Sequence, residues 1–240
     1  YMYLFTAAIA PAIFIMFIVY KYDTIKEPLN MLFKAFFGGV LSILIALAIA
    51  IPLNQLTGFI PTGFLQSFYD AFLCAAIPEE FAKWIIFYWL IRKAKDFDQY
   101  YDGILYAIFI SMGFALFENI LYVFDDKMGG MSTAIVRSII SVPGHMLFAI
   151  PMGYYLSLSR FESAASARYH IFLSLAIPIL LHGTFDFILM YSSAKAELNP
   201  GLAVFLMLAF LIFDIFMWRF GLRKLKEHIS KDKENLNVSA

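Results

Sequence analysis

The sequence contains one cysteine and few charged residues. Because Cys74 is the sole cysteine among 240 residues, an intrachain disulfide framework and a cysteine-rich zinc site are both excluded. Charged residues make up 15% of the chain, and 18 basic side chains balance 18 acidic ones, so the bulk composition indicates neither a nucleic acid nor another strongly charged partner. Long linkers, low-complexity blocks and strong internal repeats are also missing, which predicts a single domain, 1–240.

Apolar residues dominate the rest of the chain. They make up 62% of the sequence, aromatic residues make up 18%, and the mean hydropathy is +0.76. A soluble domain of this composition would expose large apolar patches. The sequence therefore predicts an all-α bundle of membrane-spanning helices, with the lipid bilayer around it.

Seven segments are long and apolar enough to cross a bilayer. Each has about 20 mainly apolar residues bounded by charged or turn-forming ones. The first has no Lys or Arg before it and no clear small-residue cleavage site after it, so we expect a permanent helix rather than a signal peptide. The predicted spans are 2–20, 31–53, 67–91, 103–124, 132–158, 169–191 and 201–221.

Lysine and arginine lie almost entirely on alternate connections between these spans. By the positive-inside rule, this bias places the N-terminus outside and the C-terminus in the cytoplasm. We expect the tail, 222–240, to be a solvated charged extension of the last helix that contacts anionic lipid, with His228 as a surface histidine. The basic positions are Lys21, Lys26, Lys34, Arg92, Lys93, Lys95, Arg160, Arg168, Arg219, Arg223, Lys224 and Lys226, against Lys127 and Lys195 on the other side.

Two adjacent carboxylates stand in the middle of the third span. A charge at the centre of a membrane helix costs about 2.5–3.5 kcal/mol on insertion scales. This cost indicates that Glu79 and Glu80 have a functional role. Lys83 follows Glu79 by four residues and shares its helix face, which predicts an ion pair. Pro78 lacks an amide donor, so a kink or a water-accessible notch is expected beside the carboxylates.

Three further helices carry ionisable groups at a similar depth. Alone, a buried histidine often just packs helices, and the Glu79–Lys83 pair could serve only to fix helix register. Six histidine and carboxylate side chains in one layer are a costly way to pack helices, which favours a functional site; they are Glu79, Glu80, Glu118, His145, His182 and Asp186. The additional polar residues are Glu118 and Asn119 on the fourth span, Arg137 and His145 on the fifth, and His182 and Asp186 on the sixth.

These residue types support two forms of hydrolytic chemistry. Two histidines and a carboxylate are ligands of a catalytic zinc site, and an adjacent glutamate activates water. His145 and His182 with Glu118 or Asp186 supply such a set, although the H-E-x-x-H signature is absent. A metal-free version is equally constructible, with a glutamate as base and His182 plus Asp186 polarising the carbonyl or orienting the water.

Four motifs follow one another on successive helices between about residues 70 and 190. They are Glu79-Glu80-x-x-Lys83, Phe114-x-x-x-Glu118-Asn119-x-x-Tyr122, Arg137 with Ser141-x-x-Gly144-His145-x-x-Phe148-Ala149, and His182-Gly183-x-x-Asp186. Together they resemble the motifs of the PrsW family of intramembrane proteases, which is related to the CAAX prenyl proteases. The chain departs from the CAAX pattern at Glu118, where that pattern has a histidine, so a CAAX-type role does not carry over to this position.

The resemblance implies an intramembrane endopeptidase of the bacterial cytoplasmic membrane. PrsW proteins are known for the first, site-1 cut of a membrane-spanning anti-sigma factor, so a single-pass membrane protein is the expected substrate. Zinc is the expected cofactor. The expected catalytic residues are Glu79, Glu80 and Lys83, the expected metal ligands are Glu118, His145, His182 and Asp186, and the expected supporting residues are Asn119 and Arg137.

Two other functions use similar residues. Buried acids and histidines also build proton relays, and Pro78, Pro143 and Pro178 are compatible with the broken helices of a proton-coupled transporter. The chain is small for a transporter and shows no obvious inverted repeat. A catalytically inactive relative acting as a membrane scaffold is the third alternative, and a cleavage assay distinguishes it from a protease.

Overall fold

A computed structural model describes residues 2–127 and 129–239 of the chain. Within these ranges the chain forms helices and no strand. The third helix is continuous over 64–91 but contains two wider, π-helical stretches, Tyr69–Ala76 and Phe87–Ile91. The helices are α1 (Met2–Tyr22), α2 (Leu29–Asn54), α3 (64–91), α4 (Tyr100–Val123), α5 (Met131–Ile139), α6 (Ser141–Phe161), α7 (Ala164–Lys195) and α8 (Pro200–Ser239).

The helical bundle confirms the predicted fold class. Helical stretches that are long and apolar enough to cross a membrane cover six of the seven predicted spans: Met2–Tyr22, Leu29–Phe59, Tyr100–Val123, Met131–Phe161, Ala164–Lys195 and Pro200–Asn237. The remaining predicted span, 67–91, corresponds to α3, which carries the two glutamates. The connections 23–28 and 92–99, the α6–α7 connection and the end of α8 meet at one end of the bundle, as the contact of Asp232 with the start of α4 illustrates. We call this the basic end, and the opposite one the distal end.

Pro78 accounts for part of the winding of α3. The first π-helical stretch ends at Ala76, two residues before the proline. A proline ring clashes with the carbonyl group one turn earlier and removes an amide donor, and a wider turn takes up that misfit. Such π-helical turns are frequent at functional sites. The predicted notch is therefore a change of helix type that places Glu79 and Glu80 directly after it.

Close packing around α4 fixes the positions of its neighbours. A methyl group at Gly39 of α2 would lie 1.9 Å from the carbonyl oxygen of Ile110 on α4. On the other side of α4, a methyl group at Gly153 of α6 would lie 2.1 Å from the Gly103 carbonyl oxygen. Small residues let membrane helices approach this closely. Both contacts hold α2 and α6 against the helix that carries Glu118.

The charged tail extends the last helix, as the sequence predicted, but one of its faces is buried. α8 continues as one helix to Ser239, and His228 is fully buried, with its ring stacked 4.2 Å from that of Tyr154. Asp232 accepts hydrogen bonds from the backbone N–H groups of Tyr100 and Tyr101, both at 2.8 Å. The prediction of a surface histidine was therefore wrong, because one face of this helix packs on the basic end and its carboxylate caps α4. The opposite face is exposed, as at Lys226 and Lys233.

Candidate functional site

All nine predicted site residues lie in one connected network in the distal half of the bundle. Five helices contribute to it, although the residues are far apart in sequence. The network consists of Glu79, Glu80 and Lys83 on α3, Glu118 and Asn119 on α4, Arg137 on α5, His145 on α6, and His182 and Asp186 on α7.

Lys83 lies at the centre of this network. Its Nζ atom is 2.6 Å from Glu80 Oε1 and 3.7 Å from Glu79 Oε2, and 3.2 Å from His145 Nδ1. The side chain is only 1% exposed, so its charge depends on these partners for compensation. The predicted Glu79–Lys83 pair is present, but the closer carboxylate belongs to Glu80.

His182 is held between two carboxylates. Its Nδ1 atom lies 2.9 Å from Glu80 Oε1, and its Nε2 atom lies 3.1 Å from Asp186 Oδ2. The imidazole ring also stacks on Phe148, with 4.6 Å between ring centroids. The ring orientation is therefore fixed on two edges and one face.

Glu118 is positioned by a charge-assisted network that reaches three other helices. Arg137 donates to Glu118 Oε2 at 2.7 Å and, through Nε, to Asn119 Oδ1 at 2.9 Å. Asn119 in turn donates to the carbonyl oxygen of Ala8 on α1 at 2.8 Å, and His145 Nε2 lies 3.0 Å from Glu118 Oε2. Arg137 and Asn119 thus link the Glu118 carboxylate to α5 and α1.

A cavity of about 300 Å³ leads from this network toward the distal end. Glu79 and Glu118 form part of its wall together with Tyr122, and the wall continues to Asn54, an exposed residue at the end of α2. The side chain of Glu79 is 16% exposed, whereas that of Glu80 is fully buried. Water therefore reaches the Glu79 carboxylate more readily than the Glu80 carboxylate.

Two groups of side chains are close enough to share a metal ion. In each group the potential ligand atoms lie within 4.8 Å of one another, and Glu79 belongs to both. One group adds Glu80 and His182, and the other adds Glu118 and His145. Asp186 reaches the network through His182. Of the four predicted ligands, Glu118 and His145 thus lie in one group and His182 in the other, while Asp186 contacts His182 but belongs to neither group.

The donor set fits a metal such as zinc. The rings of His145 and His182 lie 5.5 Å apart, and one buried oxygen each of Glu79 and Glu80 has no hydrogen-bond partner. Glu80 beside His182 Nδ1 matches the carboxylate that usually orients a metal-bound imidazole through its second nitrogen. His145 differs, since Lys83 donates to its Nδ1 and the Nε2 proton then points at Glu118. A metal bound through this ring would displace one of these contacts.

Comparison with known proteins identifies the family. The sequence model described as "PrsW family intramembrane metalloprotease" matches residues 27–215. The chain belongs to the PrsW family. Protease PrsW of Clostridioides difficile is 35% identical over 236 residues, covering 96% of this chain and 93% of that protein. Protease PrsW of Bacillus subtilis is 36% identical over 225 residues, covering 92% of this chain and 94% of that protein.

The family assignment makes this chain a multi-pass membrane protease and confirms the predicted resemblance. No solved structure matches the chain. Membership in PrsW favours the protease over the proton-coupled transporter, because the match to relatives named Protease PrsW covers more than 90% of each chain. The network around Lys83 is the candidate active site of this PrsW protein.

Sequence reasoning missed several residues that shape the site. Phe148 stacks on His182, and Phe114 lies beneath the Lys83 ammonium, 4.4 Å from Nζ to the ring centroid. Both residues belong to the motifs, since Phe114 stands four residues before Glu118 and Phe148 three residues after His145. Their aromatic character alone does not distinguish them from lipid-facing residues. The carbonyl group of Ala8 has no sequence signal.

Proposed function

We propose that this protein hydrolyses a peptide bond of a membrane-spanning substrate, with Glu79 as the base that activates water. The observation that carries this proposal is the position of Glu79. Its carboxylate is on the cavity wall, belongs to both potential metal-binding groups and has an oxygen without a hydrogen-bond partner. Glu80 is a positioning residue, since it is fully buried against Lys83 and His182.

Glu79 carries out both proton transfers, and Lys83 stabilises its charge. Glu79 takes a proton from the attacking water while the water oxygen bonds to the scissile carbonyl carbon. The protonated Glu79 carboxyl group then gives that proton to the departing amine as the C–N bond breaks. Lys83, 3.7 Å from Glu79, stabilises the ionised carboxylate before attack.

Zinc is the cofactor we propose, held by His145 and His182 with Glu118 or Asp186. When bound, it supplies a Lewis acid that polarises the carbonyl oxygen and makes bound water more acidic. Supporting this choice, nitrogen and carboxylate oxygen are both zinc ligands, and the family description includes the word metalloprotease. Arg137 and Asn119 then fix Glu118 in place.

The proposed substrate is a single-pass membrane protein, such as an anti-sigma factor cut at its first site. Support comes from the family resemblance and from the course of the cavity, which runs from the network to the distal end, the side opposite the positive charges. A substrate segment entering there reaches Glu79 and Glu118 on the cavity wall. We therefore expect the cleaved peptide bond to lie near the non-cytoplasmic end of the substrate's membrane-spanning helix.

Cleavage of a candidate substrate by purified protein in detergent tests the proposal. We expect Glu79→Gln to lower the cleavage rate by about 10²-fold or more, as loss of a general base does, while the protein still folds and inserts. Glu197→Gln is the matched control, because Glu197 is an exposed carboxylate at the distal end outside the network. Equal cleavage by both variants would remove Glu79 from the chemistry.

A further inference from the structure

A second acidic cluster lies at the basic end, remote from the site described above. Glu27 precedes α2, Asp98 precedes α4 and Asp102 lies in the first turn of α4; one carboxylate oxygen of each lies within 4.8 Å of the others. Asp23 adjoins them, since its Oδ2 atom accepts the N–H of Glu27 at 3.0 Å. Asp23, Glu27 and Asp102 are at most 5% exposed.

Two of these buried carboxylates leave one oxygen without a partner. Asp102 Oδ2 accepts the N–H groups of Asp98 and Gln99, at 3.0 Å and 2.6 Å, whereas its Oδ1 atom is buried with no hydrogen bond. Asp23 repeats this pattern, with Oδ2 bonded to Glu27 and Oδ1 buried and unpaired. Burying a carboxylate oxygen without a donor is costly, so both atoms indicate a positively charged ligand.

The nearby basic side chains are engaged elsewhere. Lys26 donates to the backbone carbonyl oxygens of Tyr20 and Asp23 at 2.6 Å and 2.8 Å. Arg160 donates to the carbonyl oxygen of Ala94 at 2.9 Å and to that of Arg92. In the part of the chain that the structure describes, none of the four acids forms an ion pair with a lysine or arginine. The cluster thus groups four carboxyl groups that no lysine or arginine side chain of the described residues pairs with.

We propose that Glu27, Asp98 and Asp102 bind a hard divalent cation, with Asp23 beside it. The ligands are all oxygen atoms, which suits Ca²⁺, Mg²⁺ or Mn²⁺ better than zinc. Two ligands of one Ca²⁺ ion, each about 2.3–2.6 Å from it, span about 5 Å at most, and the observed spacing lies within that span. The ion ties the α1–α2 connection to the start of α4. It is separate from the intramembrane site and independent of the proposed protease mechanism.

Terbium luminescence provides a direct probe of this site. Tb³⁺ replaces Ca²⁺ at oxygen sites and emits when a nearby phenol transfers energy to it, and the Tyr106 hydroxyl group contacts Glu27. We expect saturable emission from purified full-length protein, displaced by added Ca²⁺. The same emission is expected in the His145→Ala/His182→Ala variant, which would show that Tb³⁺ binding does not depend on the intramembrane histidines.

The decisive variant is Asp98→Asn, since Asp98 is exposed and its substitution spares the folded core. It should weaken Tb³⁺ binding on the order of 10-fold or more. Glu162→Gln is the matched control: Glu162 is a carboxylate at the same end, paired with Lys231 at 2.9 Å outside the cluster. Its Tb³⁺ affinity should equal that of the wild type.

Thermal unfolding gives a second readout. Millimolar Ca²⁺ should raise the Tm of the wild type and of Glu162→Gln, and should raise that of Asp98→Asn by less, because weaker binding of a ligand stabilises the folded form less. Lack of sensitised emission from the wild type would overturn the proposal. So would equal Tb³⁺ affinity in Asp98→Asn and Glu162→Gln.

Discussion

Lys83 Nζ lies 2.6 Å from Glu80 Oε1 but 3.7 Å from Glu79 Oε2. Two adjacent glutamates therefore have different surroundings, because consecutive residues of a helix point about 100° apart. Glu80 faces His182 of α7, while Glu79 faces the cavity beside Glu118. The sequence presents the pair as equivalent, and the fold makes one a buried anchor and the other an accessible carboxylate.

This difference predicts opposite effects of two conservative substitutions. Glu80→Gln should lower the free energy of unfolding by about 3–5 kcal/mol, since removing one member of a buried ion pair leaves Lys83 poorly compensated. Glu79→Gln should change stability much less, because Glu79 is the more distant partner, yet abolish most cleavage. Thermal unfolding in detergent, measured on both variants beside a cleavage assay, checks this. A larger loss of stability in Glu79→Gln would reverse the assignment.

Metal analysis tests the zinc proposal. Elemental analysis of detergent-purified protein should find about one zinc ion per chain, and His182→Ala should lose most of it, because His182 has the carboxylate-oriented geometry of a metal ligand. His145→Ala should lose it too. His170→Ala is a matched control, since His170 lies near the start of α7, away from the network. Metal-free protein that cleaves substrate despite strong chelators would leave a glutamate protease with the same carboxylates.

The alternating positive charge predicts the orientation in the membrane. The connection 92–99 and the end of α8 should face the cytoplasm, while 55–63 and the α7–α8 connection face outside. In a Cys74→Ala background, an impermeant thiol reagent added to intact cells should not label Asp98→Cys, but should label Glu197→Cys. The opposite labelling pattern would invert the topology and place the mouth of the cavity in the cytoplasm.

Docking of the tail predicts a contribution to stability. Asp232→Ala should reduce the free energy of unfolding by about 0.5–2 kcal/mol, the usual effect of removing a helix cap, because it deprives the start of α4 of an acceptor. Lys233→Ala, at the next, exposed position, is the control. Equal unfolding transitions for the two variants would mean that the tail contact contributes nothing measurable.

Part of this protein was predictable from local sequence features. Hydropathy located the helices because a bilayer demands long apolar helical spans. The i,i+4 spacing placed His182 and Asp186 together, and the structure shows them 3.1 Å apart. Lys224, His228 and Asp232 follow the same spacing at the end of α8, a signal that indicates a packed face but was outweighed by the charge of the tail.

The sequence by itself determined the membrane bundle, the family and the layer of ionisable groups, because each depends on composition, on spacing along one helix or on ordered motifs. Only the tertiary structure decided that Lys83 pairs most closely with Glu80, that Glu79 faces the cavity, and that Arg137 clamps Glu118. These relationships depend on how α3, α4, α6 and α7 are rotated about their axes. Rotation is set by close contacts between helices, such as Gly39 against Ile110, which no single segment encodes.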